Sequence, residues 1–155
     1  MELNTCNQNK VPFPVRLILA DDDIDDCLLF NEALNSVAPS VKLSIVNNGE
    51  QLMQLLYNSE GDLPEALFLD LNMPRKNGYE CLPLIKKNDK LSKLKVIVHS
   101  TSCDPARLDL FYAQGALCYV QKPAEFSNLK AAILKTLTLI TDNFIVPRDK
   151  FLINL

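Results

Sequence analysis

Residues 15–37 read VRLILADDDIDDCLLFNEALNSV. Val15–Ala20 is short and rich in branched side chains, as a buried strand would be. Ile24–Val37 places apolar residues at 24, 27, 28, 30, 34 and 37, the spacing of a helix with one buried face. At their junction stand five aspartates within six positions: Asp21, Asp22 and Asp23 between the two, and Asp25 and Asp26 at the start of the helix. Strand, acidic turn and helix make up the first unit, and the rest of the chain repeats its outline.

Val41–Val46 alternates and reads as a strand nearer an edge, and Asn48 is placed to cap a helix from about Glu50 to Asn58. Gly61-Asp-Leu-Pro breaks the chain before a third strand, Ala66–Leu69. Asn77-Gly78 marks a turn, followed by a helix over Tyr79–Lys87 with Pro83 as a local defect. Val96–His99 is the fourth strand. Asp104-Pro105 starts a helix that Gly115 ends, since Asp caps, Pro suits the first turn and Gly suits C′. Leu117–Val120 is the fifth strand, and Glu125–Ile140 is a last amphipathic helix, apolar at 126, 129, 133, 137 and 140. Five strands alternating with five helices predict an α/β fold with parallel pairing and right-handed crossovers. The expected architecture is a flavodoxin-like, doubly wound, five-stranded sheet of order 2-1-3-4-5.

Composition sets the outer limits. The 155 residues suit one domain, with 48% hydrophobic and 23% charged residues. A chain of this size hides about 68–70% of its unfolded surface, so its core needs no staples. The net charge of −3 gives no general reason to bind nucleic acid. Five cysteines form no CxxC pair, and His99 is the only histidine, which leaves little for a zinc site. Reduced thiols, no signal peptide and no apolar run of about 20 residues predict a cytoplasmic protein with no membrane contact. The polar residues 1–13 read as a flexible lead-in, 14–141 as the domain, and 142–155 as an extension too short for an output domain.

In doubly wound sheets, ligands bind at the carboxyl ends of the strands. Strand one ends in the aspartate run, which is either solvated surface or a hard-cation site. Strand three ends in Asp70, either a cap or a nucleophile toward phosphorus. Strand four ends in Ser100-Thr101-Ser102, where a hydroxyl either caps a helix or meets a phosphoryl oxygen. Strand five ends near Lys122-Pro123, where the ammonium makes an ion pair or a phosphate contact. Carboxylates, a hydroxyl and an ammonium at one sheet edge are the parts for metal-assisted phosphoryl transfer to a carboxylate.

Asp70-Leu-Asn-Met-Pro-Arg-Lys-Asn-Gly78 resembles the phosphoacceptor segment D-x-x-M-P-x-x-x-G of response-regulator receiver domains. The resemblance covers about Val15 to Ile140. It implies that Asp70 is phosphorylated, that Asp21, Asp22, Asp70 and the Asn72 carbonyl hold Mg²⁺, and that Ser100 and Lys122 act with Asp70. Ser100 lies 30 residues past Asp70 and Lys122 lies 52 past it. The resemblance also makes Ser100 and Tyr119 the switch pair and suggests a cis Lys122–Pro123 bond. The implied partners are a sensor histidine kinase or histidine phosphotransfer protein and a downstream protein target. The protein is expected to catalyse only its own phosphorylation and dephosphorylation.

Some positions depart from the family pattern. His99 stands where an apolar residue is common and reads as a packing or local hydrogen-bonding residue. Thr101 stands where many members have alanine, a bulkier group beside the phosphoryl path. Asp23, Asp25 and Asp26 read as extra acidic surface. The relatives are stand-alone regulators, including those of bacterial phytochromes. Residues 142–155 read as a tail folded back on the domain, or as a partner contact. A monomer or a weak homodimer, through this extension or the face of the fourth helix, fifth strand and fifth helix, is expected. A degenerate receiver that binds proteins without phosphorylation is the alternative. A haloacid-dehalogenase-type phosphohydrolase fits Asp21-x-Asp23 only weakly.

Overall fold

The structure, a computed structural model, describes residues 16–59 and 61–155, so the expected lead-in over 1–13 lies outside the described residues. Its elements are β1 (Arg16–Ala20), α1 (Ile24–Val37), β2 (Lys42–Val46), α2 (Gly49–Tyr57), β3 (Ala66–Leu69), α3 (Gly78–Lys87), β4 (Lys95–Ser100), α4 (Pro105–Ala113), β5 (Cys118–Gln121) and α5 (Phe126–Thr141). A 3-10 turn (Arg148–Lys150) and a short β6 (Leu152–Ile153) follow. All strand pairs are parallel, in the order β2-β1-β3-β4-β5-β6. The first five strands keep the expected 2-1-3-4-5 order, and β6 is an addition at the edge.

Local chemistry explains where the helices begin. Asp23, Asn48, Asn77 and Asp104 each accept a backbone N–H from the first turn of α1, α2, α3 and α4. Pro105 supplies the first residue of α4, where its missing N–H costs nothing. Gly115 then leaves α4 with φ +92°, a conformation that glycine adopts without strain. α3 runs through Pro83 without interruption.

The inner strands β1, β3 and β4 are buried along almost their whole length, as a sheet covered on both faces requires. Phe30 of α1 meets Phe68 of β3 edge to face, with ring centroids 4.9 Å apart. α1 departs from the face that its sequence suggested. Cys27, Phe30, Ala33 and Leu34 face inward, while Ile24 and Leu28 are 70% and 61% exposed. Periodicity gives the direction of a helix face but not how wide a strip its neighbours cover.

The extension folds back beyond β5. The Tyr119 amide donates to the Phe151 carbonyl at 2.9 Å, and β6 pairs Leu152 with Tyr119 and Ile153 with Val120. Phe151 is fully buried against Tyr112 of α4, with ring centroids 5.5 Å apart. Arg148 pairs with Asp109 of the same helix at 2.6 Å.

Candidate functional site

Parallel pairing brings the carboxyl ends of β1 and β3 side by side. The Asp70 amide donates to the Ala20 carbonyl at 2.9 Å, and the Asp21 amide donates to the Val46 carbonyl at 3.0 Å. Asp21 and Asp70 are buried, whereas Asp22 is exposed at the mouth. Carboxylate oxygens of Asp21, Asp22 and Asp70 all lie within 4.8 Å of one another. Three hard oxygen donors at this spacing fit a divalent metal ion.

Lys122, just past β5, reaches across the sheet edge into this cluster. Its Nζ lies 2.7 Å from Asp21 Oδ2, 2.9 Å from Asp26 Oδ2 and 3.6 Å from Asp70 Oδ2. Burial opposes its charge, but the bonds from Asp21 and Asp26 outweigh that and hold its pKa above the usual lysine range. Burial pushes Asp70 the other way, from 3.8 up to about 6. Lys122 pulls Asp70 back down in part, while Asp21 adds to the rise. A cation bound at this cluster would favour the ionised form of Asp70.

Two glycines let the Asp70 loop sit where it does. A Cβ on Gly78 would stand 2.4 Å from the Asp70 carbonyl oxygen. One on Gly49 would stand 2.0 Å from the Lys76 carbonyl oxygen. The loop is thus pressed against the starts of both α2 and α3. The Asn72 amide points back to Asp70 Oδ1 at 3.4 Å.

The remaining expected residues fall at the same edge. Ser100 is fully buried, and its Oγ has no hydrogen-bond partner. Tyr119 already points inward, packed on Phe111 at 5.8 Å between centroids, and its hydroxyl donates to the Ser102 carbonyl. Among the described residues no peptide bond is cis, so Lys122–Pro123 is trans and the expected cis bond is corrected. Thr101 is exposed and only its carbonyl is engaged, by Gln121 Nε2 at 3.3 Å. The helix-capping role left open after β4 belongs to Asp104.

His99 packs between Phe30 and Phe68, with centroids 5.6 and 6.1 Å away, and neither ring nitrogen has a partner. It is a packing residue with no local hydrogen bond. Burial, with Lys122 nearby, lowers its pKa to about 3.

Sequence reading left out the contact of Asp26 with Lys122. Asp26 is the third residue of α1 beyond its Asp23 cap, and helical side chains lean toward the N-terminus. A carboxylate there turns back toward the strand end, which is the signal that points to it. Gly49 had no such signal, because its role depends on how close a loop remote in sequence comes.

A doubly wound parallel sheet with buried aspartates, a buried serine and a lysine at the ends of β1, β3, β4 and β5 is the arrangement of a receiver. The family description "Response regulator receiver domain" matches residues 17–134, and the chain belongs to that family. Among characterised relatives it is similar to the response regulator Rcp1 of Synechocystis sp., at 30% identity over 121 residues, covering 75% of this chain and 82% of Rcp1. Its fold matches the phosphorylated cyanobacterial phytochrome response regulator RcpA with a TM-score of 0.76 and 27% identity, over 86% of this chain and 99% of RcpA. The Mn²⁺-bound form of Rcp1 matches with a TM-score of 0.72 and 26% identity, over 86% and 99% of the two chains. The chain is a response-regulator receiver homologous to these stand-alone phytochrome regulators.

Proposed function

We propose that Asp70 accepts a phosphoryl group from a phosphohistidine of a sensor histidine kinase or histidine phosphotransfer protein. The observation that carries this reading is the placement of Asp70. It is buried, its pKa is raised, it shares a cluster with Asp21 and Asp22, and it faces Lys122. A carboxylate oxygen of Asp70 attacks phosphorus. The phosphorus–nitrogen bond to the imidazole breaks, and the imidazole leaves with the bond's electron pair. The Lys122 ammonium and the unpartnered Ser100 hydroxyl are placed to donate hydrogen bonds to the phosphoryl oxygens.

The metal in this reading is Mg²⁺, held by Asp21, Asp22, Asp70 and the Asn72 carbonyl. Its chemistry is to neutralise charge as two anions meet. The protein catalyses only its own phosphorylation and dephosphorylation, in the cytoplasm, and passes the signal to a protein target. Ser100 and Tyr119 form its switch, and the α4-β5-α5 face with its β6 addition is the output surface, in a monomer or a weak homodimer. Among the described residues no helix is long and apolar enough to cross a membrane.

The test is intact-mass measurement after incubation with acetyl phosphate and Mg²⁺. One phosphoryl adduct is expected, absent in Asp70→Asn. No adduct with any donor, or an adduct that persists in Asp70→Asn, refutes the reading and favours a degenerate receiver.

A further inference from the structure

The Lys122 ammonium has three N–H donors. Two are committed at short range, to Asp21 at 2.7 Å and to Asp26 at 2.9 Å. The third faces Asp70 across 3.6 Å, longer than a good hydrogen bond. Asp21 and Asp26 both stand on the β1–α1 side of the site, so together they draw the ammonium away from Asp70.

Their environments differ. Asp21 is buried, so water cannot readily take the place of the ammonium there. The Asp26 side chain is 34% exposed, so solvent can replace the ammonium there. When a phosphoryl group approaches Asp70, Asp26 is the partner that Lys122 can release at low cost.

Resting on the phosphoacceptor reading above, we propose that Asp26 is a positioning residue that restrains Lys122 and sets how readily Asp70 is phosphorylated. It acts through Lys122 and need not touch the phosphoryl group. Its backbone is fixed independently, since its amide donates to the Asp23 cap at 3.1 Å. The side chain can therefore be changed without unravelling the first turn of α1. Asp25 is a natural control. It is exposed in the same turn, carries the same charge, and makes no ion pair among the described residues.

The experiment measures the rate of adduct formation against acetyl phosphate concentration, with Mg²⁺, for the full chain and for Asp26→Asn, Asp26→Glu and Asp25→Asn. Thermal midpoints are recorded alongside. Asp26→Asn is expected to raise the second-order rate about three- to fivefold, the upper range for a partly exposed ion pair, through a lower half-saturating donor concentration. Asp26→Glu should return to the wild-type rate, and Asp25→Asn should stay near it. An unchanged or slower Asp26→Asn overturns the proposal, as does a gain that Asp25→Asn shares in full. A wild-type chain that takes no phosphoryl group fails the phosphoacceptor reading itself, and this proposal with it. A wild-type chain that is phosphorylated while Asp26→Asn matches it fails this proposal alone.

Discussion

Replacing Asp70 with asparagine in metal-free protein probes the electrostatics of the site with no phosphoryl donor present. In the folded chain Asp70 has a pKa of about 6, against 3.8 for a free carboxyl, with burial as the main cause. A raised carboxyl pKa means that the folded state holds the proton more tightly than the unfolded state. Any stability gained from that proton is complete below pH 3.8 and is lost as pH rises through about 6. Above that point the ionised Asp70 opposes folding by about 3 kcal/mol, at 1.36 kcal/mol per pH unit. Asparagine never ionises, so Asp70→Asn should be more stable than wild type at pH 8. The gain should reach up to about 3 kcal/mol, or a thermal midpoint about 6–12 °C higher. Lys122 is not orphaned, because Asp21 and Asp26 keep it paired. The assay is urea unfolding in chelator from pH 4 to pH 8. The difference should shrink through pH 6 and be nearly gone at pH 4. Saturating Mg²⁺ should narrow the gap at pH 8 by stabilising wild type more than the variant. A gain that is flat with pH, or that grows on acidification, would show that burial of the Asp70 charge is not what raises its pKa.

Three further substitutions bear on other parts of the molecule. His99→Leu fills a similar volume and removes two unpartnered buried nitrogens, so it should stabilise by about 1–2 kcal/mol at pH 7. Its pH dependence runs opposite to that of Asp70. The folded His99 pKa is about 3 against 6.5, so the unfolded wild type takes up the proton first and the variant's advantage should grow as pH falls below 6.5 in urea titrations. Gly49→Ala puts a methyl group into the Lys76 carbonyl and should cost about 1–3 kcal/mol in chemical denaturation, with a weaker Mg²⁺ titration because the Asp70 loop shifts. Phe151→Ala should cost about 3 kcal/mol and speed tryptic cleavage at Arg148 and Lys150, seen by mass spectrometry, because it unseats the extension from Tyr112.

Much of this arrangement is visible along the chain, for physical reasons that differ by element. Strands buried on both faces must be apolar almost throughout, so Ala66–Leu69 and Val96–His99 stand out from their surroundings. Caps such as Asn48 and Asp104 work over three or four residues, so their meaning is local. The site follows from topology, since parallel strands put Asp21, Asp70, Ser100 and Lys122 on one edge. What stayed hidden depends on contacts between remote segments. β6 has two residues, too few for any periodicity, and forms because Phe151 finds a pocket beside Tyr112. The exposure of Ile24 and Leu28 depends on where α1 meets its neighbours, which α1 does not encode alone. The inward position of Tyr119 and the trans Lys122–Pro123 bond are choices between states that one sequence permits.

The parallel pairing of β6 also decides which pole of the molecule the end of the chain faces. A chain stopping at Thr141, the end of α5, would finish at the pole opposite Asp70, because the helices run antiparallel to the strands. The residues from 142 to 151 carry it back along β5, and Ile153 ends level with Val120, two residues short of Lys122. Anything joined after Leu155, whether a tag, a fluorophore or a fused domain, would therefore emerge beside the sheet edge that carries Asp70. A label there is a short-range reporter on the Asp70 cluster, and a bulky fusion there is an obstacle to whatever docks on it.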